Sequence, residues 1–79
     1  PVDTVLADGM ACRLPDAEPL ALIRREVDDV VAVTDDEVAA AMRALFTATH
    51  NVAEGAGAAS WAAAMQQRDR WAGRRVGVT

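Results

Sequence analysis

The chain has no lysine and no tyrosine, one cysteine, one phenylalanine and two tryptophans in 79 residues. Each scarcity excludes something. Without an ε-amine, no side chain here can condense with a carbonyl, so lysine-based covalent catalysis cannot be completed within this sequence. A lone Cys12 cannot form an intrachain disulfide, which fits a reducing, cytoplasmic setting. One histidine, His50, leaves no histidine pair for a metal. No apolar run approaches the roughly 18–20 residues of a membrane span, and no signal-peptide pattern is present. All eight basic residues are arginine, and twelve acidic ones outweigh them to a net charge of −4. That balance argues against general nucleic-acid binding, which needs a basic face.

What is abundant is alanine and valine. About half the chain, 52%, is apolar, which argues against disorder. An Ala/Val core buries less area per residue than a Leu/Phe core, at roughly 25 cal/mol per Å². The chain is therefore expected to lean on other surfaces. It starts at Pro1 and stops at Val76-Gly77-Val78-Thr79, which reads as the middle of a buried strand. Both ends are expected to be cuts.

Along the chain, a short helix around Val5–Cys12 is weakly signalled beside the turn pair Asp8-Gly9. Asp16 suits an N-cap, Pro19 falls in the first turn, and Leu20, Ile23 and Val27 share a helical face. Asp28 and Asp29 close that helix. Val30–Val33 is short, apolar and β-branched, as in a strand covered on both faces. Thr34-Asp35-Asp36-Glu37 forms a capping box. The helix after it places Val38, Ala41, Met42, Leu45 and Phe46 on one stripe and should stop near His50-Asn51. A glycine-rich stretch, Glu54–Gly57, opens a further helix through Gln67, and Val76–Val78 starts a second strand. The order helix, strand, helix, helix, strand implies a parallel α/β arrangement whose remaining strands come from elsewhere.

The chemistry-bearing candidates are few. Glycines at a helix start permit close backbone approach, and free N–H groups there attract anions, but a tight turn with an exposed Glu54 explains the same residues. Asp8-Gly9 is a common turn pair. His50, Cys12, Ser60 and Thr79 have no evident catalytic partner, and Asp28/Asp29 and Asp35/Asp36 read as helix termini. Arg68, Arg70, Arg74 and Arg75 make a local basic end of ordinary surface type. By itself this reading gives an α/β fragment, not a reaction.

Three segments, in order, add a resemblance. Thr4-Val5-Leu6-Ala7-Asp8-Gly9-Met10-Ala11, Val27 through Val38, and Thr49-His50-Asn51-Val52-Ala53-Glu54-Gly55-Ala56-Gly57-Ala58-Ala59 resemble motifs of the threonine/serine dehydratases, which depend on pyridoxal phosphate. The resemblance covers essentially the whole chain. It implies residues 1–79 are a single segment of the larger α/β domain of a fold-type II enzyme. It implies β-elimination from a small hydroxy-amino acid, giving a keto acid and ammonia, in a cytoplasmic homo-oligomer with no metal in this segment. Carried over position by position, it implies that Gly9, Glu54, Gly55, Ala56 and Gly57 bind pyridoxal phosphate. The reactive lysine and phosphate loop would lie upstream, and a Ser-Gly-Gly-Asn loop just beyond Thr79. The alternatives are a racemase-like relative and a non-catalytic α/β module that dimerises through its apolar edges.

Overall fold

A computed structural model describes residues 3–12 and 14–79. Its regular elements are a 3₁₀ turn, Asp8–Met10, and four helices: α1 (Ala17–Glu26), α2 (Asp35–Thr49), α3 (Gly55–Gln66) and α4 (Arg68–Trp71). The expectation of an α/β fragment is corrected. No strand forms among the described residues, and the order is helical throughout.

The physical reason lies in the backbone groups a ladder would need. A strand is a pairing between segments, not a property of one apolar run. In Val30–Val33, the Val30 N–H donates to Asp29 Oδ1 at 2.8 Å, and the Ala32 carbonyl accepts from Gln66 Nε2 at 2.9 Å. Side chains thus take groups that a neighbouring strand would use. Val76–Val78 lines the same open groove over α3 as Val31, Ser60 and Trp71. Among the described residues no backbone hydrogen bond joins these two segments.

The central contact is α2 against α3. α2 starts at the expected capping box: Glu37 N–H donates to Thr34 Oγ1 at 3.1 Å, and Thr34 N–H donates to Glu37 Oε1 at 2.9 Å. Its stripe supplies buried Val38 and Ala41, while α3 supplies Ala58, Ala59 and Ala62. Met42, Leu45, Val33, Ala53 and Met65 border this cluster half-buried. Alanine on both helices lets the axes approach closely, at little buried area per residue. Phe46, at the end of the stripe, is 55% exposed.

α2 stops where expected, but His50, not Asn51, takes the left-handed turn, with φ 58°. Its N–H still bonds the Phe46 carbonyl at 2.9 Å. Asn51 instead folds its amide back on Thr49, donating to the carbonyl and to Oγ1, each at 3.2 Å.

α1 begins after Asp16 as expected, although the Asp16 side chain makes no capping bond. No other regular element packs on α1 among the described residues. Its stripe is largely open: Ile23 and Val27 are exposed and Leu20 is half-buried, and Leu22 beside the stripe is exposed as well. The Cα radius of gyration is 13.6 Å, above the about 11.6 Å expected of a compact domain of this length. Apolar faces thus stay open around a small core.

Candidate functional site

The five residues singled out from the sequence meet at one end of α3. Glu54 is the N-cap of α3, with extended backbone (φ −74°, ψ 167°), and Gly55, Ala56 and Gly57 form its first turn. Gly9 sits in the middle of the 3₁₀ turn, which packs directly on α3. A β-carbon on Gly9 would lie 3.2 Å from Ala56 Cβ. Gly55 is buried because the backbone of Leu6 and Ala7 runs across it: a β-carbon there would stand 1.8 Å from the Leu6 carbonyl oxygen. Gly55 is thus required for packing by the chain itself. Gly57 is exposed, and a β-carbon there would meet only Glu54 Cγ, at 3.6 Å.

Glu54 is exposed, makes no side-chain cap, and has no hydrogen bond to its carboxylate among the described residues. An unengaged carboxylate beside a glycine-lined surface can accept a hydrogen bond from a ring or amine. The residues that could face a pyridoxal phosphate are Gly57, where a β-carbon would meet only Glu54 Cγ, and the exposed Glu54 carboxylate, an acceptor; Gly9 packs on Ala56 behind them. The lysine needed to complete such a site is not supplied by this sequence.

The turn carrying Gly9 is held from an unexpected direction. Asp35, the first residue of α2, accepts from the Thr4 hydroxyl through Oδ1 and from the Val5 N–H at 2.8 Å through Oδ2. The Leu6 N–H is 3.5 Å from the same Oδ2. Thr4 Oγ1 in turn accepts from the Ala7 N–H at 3.0 Å. The Thr4 hydroxyl and the Val5 N–H lower the Asp35 pKa, more than partial burial raises it. In the sequence Asp35 reads as a helix terminus, and it is the first residue of α2. The pairing spans 31 positions, and no local pattern announces it.

Glu37 performs a second tie. Beyond the capping box it accepts from Gln66 Nε2 at 3.0 and 3.3 Å, fastening the start of α2 to the end of α3. The Thr34 N–H, then the Gln66 amide, lower its pKa. The remaining candidates stay apart from this end. Cys12 is exposed, with Sγ 3.7 Å from the Leu14 carbonyl oxygen. Ser60 donates its hydroxyl to the Thr79 carbonyl. Asp29 pairs with Arg70 at 3.2 Å on the surface. Among the described residues, no group of three His, Cys, Asp or Glu side chains could hold a metal ion, and no helix is long and apolar enough to cross a membrane.

Comparison with known proteins places the chain among its relatives. The chain is 43% identical over 68 residues to an L-threonine ammonia-lyase of Geobacter sulfurreducens, covering 86% of this chain and 17% of that protein. It is 41% identical over 64 residues to an L-threonine ammonia-lyase of Thermotoga maritima, covering 81% and 16%. A mitochondrial threonine dehydratase of Schizosaccharomyces pombe is 41% identical over 54 residues, covering 68% and 9%. The chain therefore spans less than a fifth of the length of these relatives. No solved structure matches it. The sequence profile of the family described as "Pyridoxal-phosphate dependent enzyme" matches residues 1–79, the whole chain, and the chain belongs to that family.

Proposed function

We propose that this chain is one segment of the catalytic core of a threonine ammonia-lyase, acting on a small hydroxy-amino acid in the cytoplasm as a homo-oligomer. The observation that carries the reading is the meeting of Gly9 with the Glu54–Gly57 turn, in a chain 43% identical to an L-threonine ammonia-lyase. The open stripe of α1 and the exposed Val5, Val30 and Val52 support a chain that completes its burial against more protein.

In this reading pyridoxal phosphate, when bound, supplies the electron sink that makes loss of the α-proton and of the β-hydroxyl feasible. This chain contributes binding and orientation. Gly57 leaves the backbone accessible at one face of the site, and the packing of Gly9 on Ala56 brings the 3₁₀ turn beside it. Gly55 lets the 4–7 segment lie flat on the start of α3, so the 3₁₀ turn and Glu54 are presented together. The Glu54 carboxylate accepts a hydrogen bond from the bound group and so orients it against the start of α3.

The test is Glu54→Gln in the complete lyase, which keeps the shape and removes the charge. The expected result is a changed absorption spectrum of the bound cofactor and reduced turnover of threonine. An unchanged spectrum with unchanged turnover would remove Glu54 from the site.

A further inference from the structure

We infer that Asp35 is a positioning residue of the cofactor site, acting through the Thr4–Ala7 segment; the inference rests on the function proposed above. One carboxylate gathers the Thr4 hydroxyl and the Val5 N–H, and Thr4 passes the link on to the Ala7 N–H. The next three residues are the 3₁₀ turn, whose first bond runs from the Met10 N–H to the Ala7 carbonyl at 2.9 Å. Asp35 is thus connected to the turn of Gly9 by consecutive hydrogen bonds.

The segment it holds is the one that crosses Gly55. The backbone of Leu6 and Ala7 occupies the space a β-carbon on Gly55 would need. Contact between these elements is therefore made by backbone, whose placement side-chain repacking cannot correct. Such contact has little tolerance, and a site built on it needs the segment fixed from its other side. Asp35 supplies that fixing from the first residue of α2, while Glu37, two residues on, ties the same helix end to Gln66 of α3. The start of α2 thereby sets the relation between the 3₁₀ turn and α3. Asp35 itself touches neither Gly9 nor Glu54 through a hydrogen bond, so its part is placement.

The experiment compares Asp35→Ala, Thr4→Val, Thr4→Ser and Thr34→Ala in the complete lyase. Thr34→Ala weakens the same helix end by loss of its cap without touching the 4–7 segment, and serves as the control for general destabilisation. Pyridoxal phosphate dissociation is measured by equilibrium dialysis, alongside the bound cofactor's spectrum and amide exchange at Val5 and Ala7. Asp35→Ala and Thr4→Val are expected to weaken cofactor binding about tenfold, a typical lower effect for groups that orient a binding site from outside it. Both should alter the spectrum and speed exchange at Val5 and Ala7. Thr4→Ser, which keeps the hydroxyl, is expected to restore binding. Equal losses in Thr34→Ala, or unchanged cofactor affinity in Asp35→Ala, would overturn the inference while leaving the proposed function standing. A parent protein that binds no pyridoxal phosphate would overturn both, and would be recognised before any variant is compared.

Discussion

The Leu6 carbonyl oxygen occupies the space beside Gly55 where any other residue would carry its side chain: a β-carbon on Gly55 would lie 1.8 Å from it. Two glycines in the same turn of α3 therefore predict opposite outcomes. Gly55→Ala must displace backbone, and overpacking of this kind costs about 1–3 kcal/mol or more. Gly57→Ala meets only ordinary contact with Glu54 Cγ, at 3.6 Å. It should stabilise α3 by about 0.5–1 kcal/mol through helix propensity. Thermal melts of the two variants check the pair, and equal shifts would contradict the crossing described here.

The α2–α3 contact makes a second prediction. Val38 is 1% exposed and is the largest fully buried side chain, while Ala58 is wholly buried opposite it in the same cluster. Val38→Ala removes methyl groups from the centre of a small core and should cost about 2 kcal/mol. Ala58→Leu adds three carbons where the helices meet and should cost about 1–3 kcal/mol by overpacking. Chemical denaturation of each variant tests both. Tolerance of Ala58→Leu would mean that the helices separate more easily than an alanine interface implies.

The features legible in the sequence were those written within a few consecutive residues. Thr34 and Glu37 stand three positions apart, and their capping box formed as read. The stripe of α2 was read correctly at Val38 and Ala41 because helical period alone decides which residues share a face. The glycine-rich start of α3 was also legible, since Glu54 through Gly57 are adjacent. The expected strands failed because pairing is non-local: Val30–Val33 has the composition of a strand, but Asp29 and Gln66 take its backbone groups. The tie between Thr4 and Asp35 was invisible for the same reason, crossing 31 positions between two unremarkable polar residues. The stop of α2 near His50-Asn51 was also legible; His50 takes the left-handed turn, while Asn51 uses its amide on Thr49.

Acid should loosen this end of the molecule in a defined direction. Asp35 and Glu37 both have native pKa values lowered by hydrogen bonds, Asp35 chiefly by the Thr4 hydroxyl and Glu37 chiefly by the Thr34 N–H. A lowered native pKa means the unfolded state binds the proton more readily. The stability from both groups is complete above the ordinary carboxylate range, about 3.9–4.3. It declines as pH falls through that range and is lost below the depressed native values. Circular dichroism should therefore be flat from neutral pH to about pH 5 and fall at lower pH. Asp35→Asn and Glu37→Gln should lower stability at neutral pH and make its acid dependence shallower. Identical acid limbs in parent and variants would show that these bonds do not contribute.

The missing lysine gives the last prediction. Arginine, the sole basic side chain besides His50 in this sequence, stays protonated at any working pH and does not condense with carbonyls. The 79-residue chain mixed with pyridoxal phosphate and treated with borohydride should therefore carry no reduced cofactor on any internal peptide. Peptide mass spectrometry reads this directly, because reduction makes any carbonyl–amine linkage permanent. Adduct confined to the amino terminus is compatible with this, because the secondary amine of Pro1 can form an iminium that borohydride reduces. If the proposed function holds, the same treatment of the complete protein should label a lysine outside residues 1–79, leaving Glu54 and Gly9 on unlabelled peptides. A label on an internal peptide of the 79-residue chain would mean that some group here is far more nucleophilic than its chemistry allows, and the proposed division between a binding wall in this chain and a reactive amine outside it would fail.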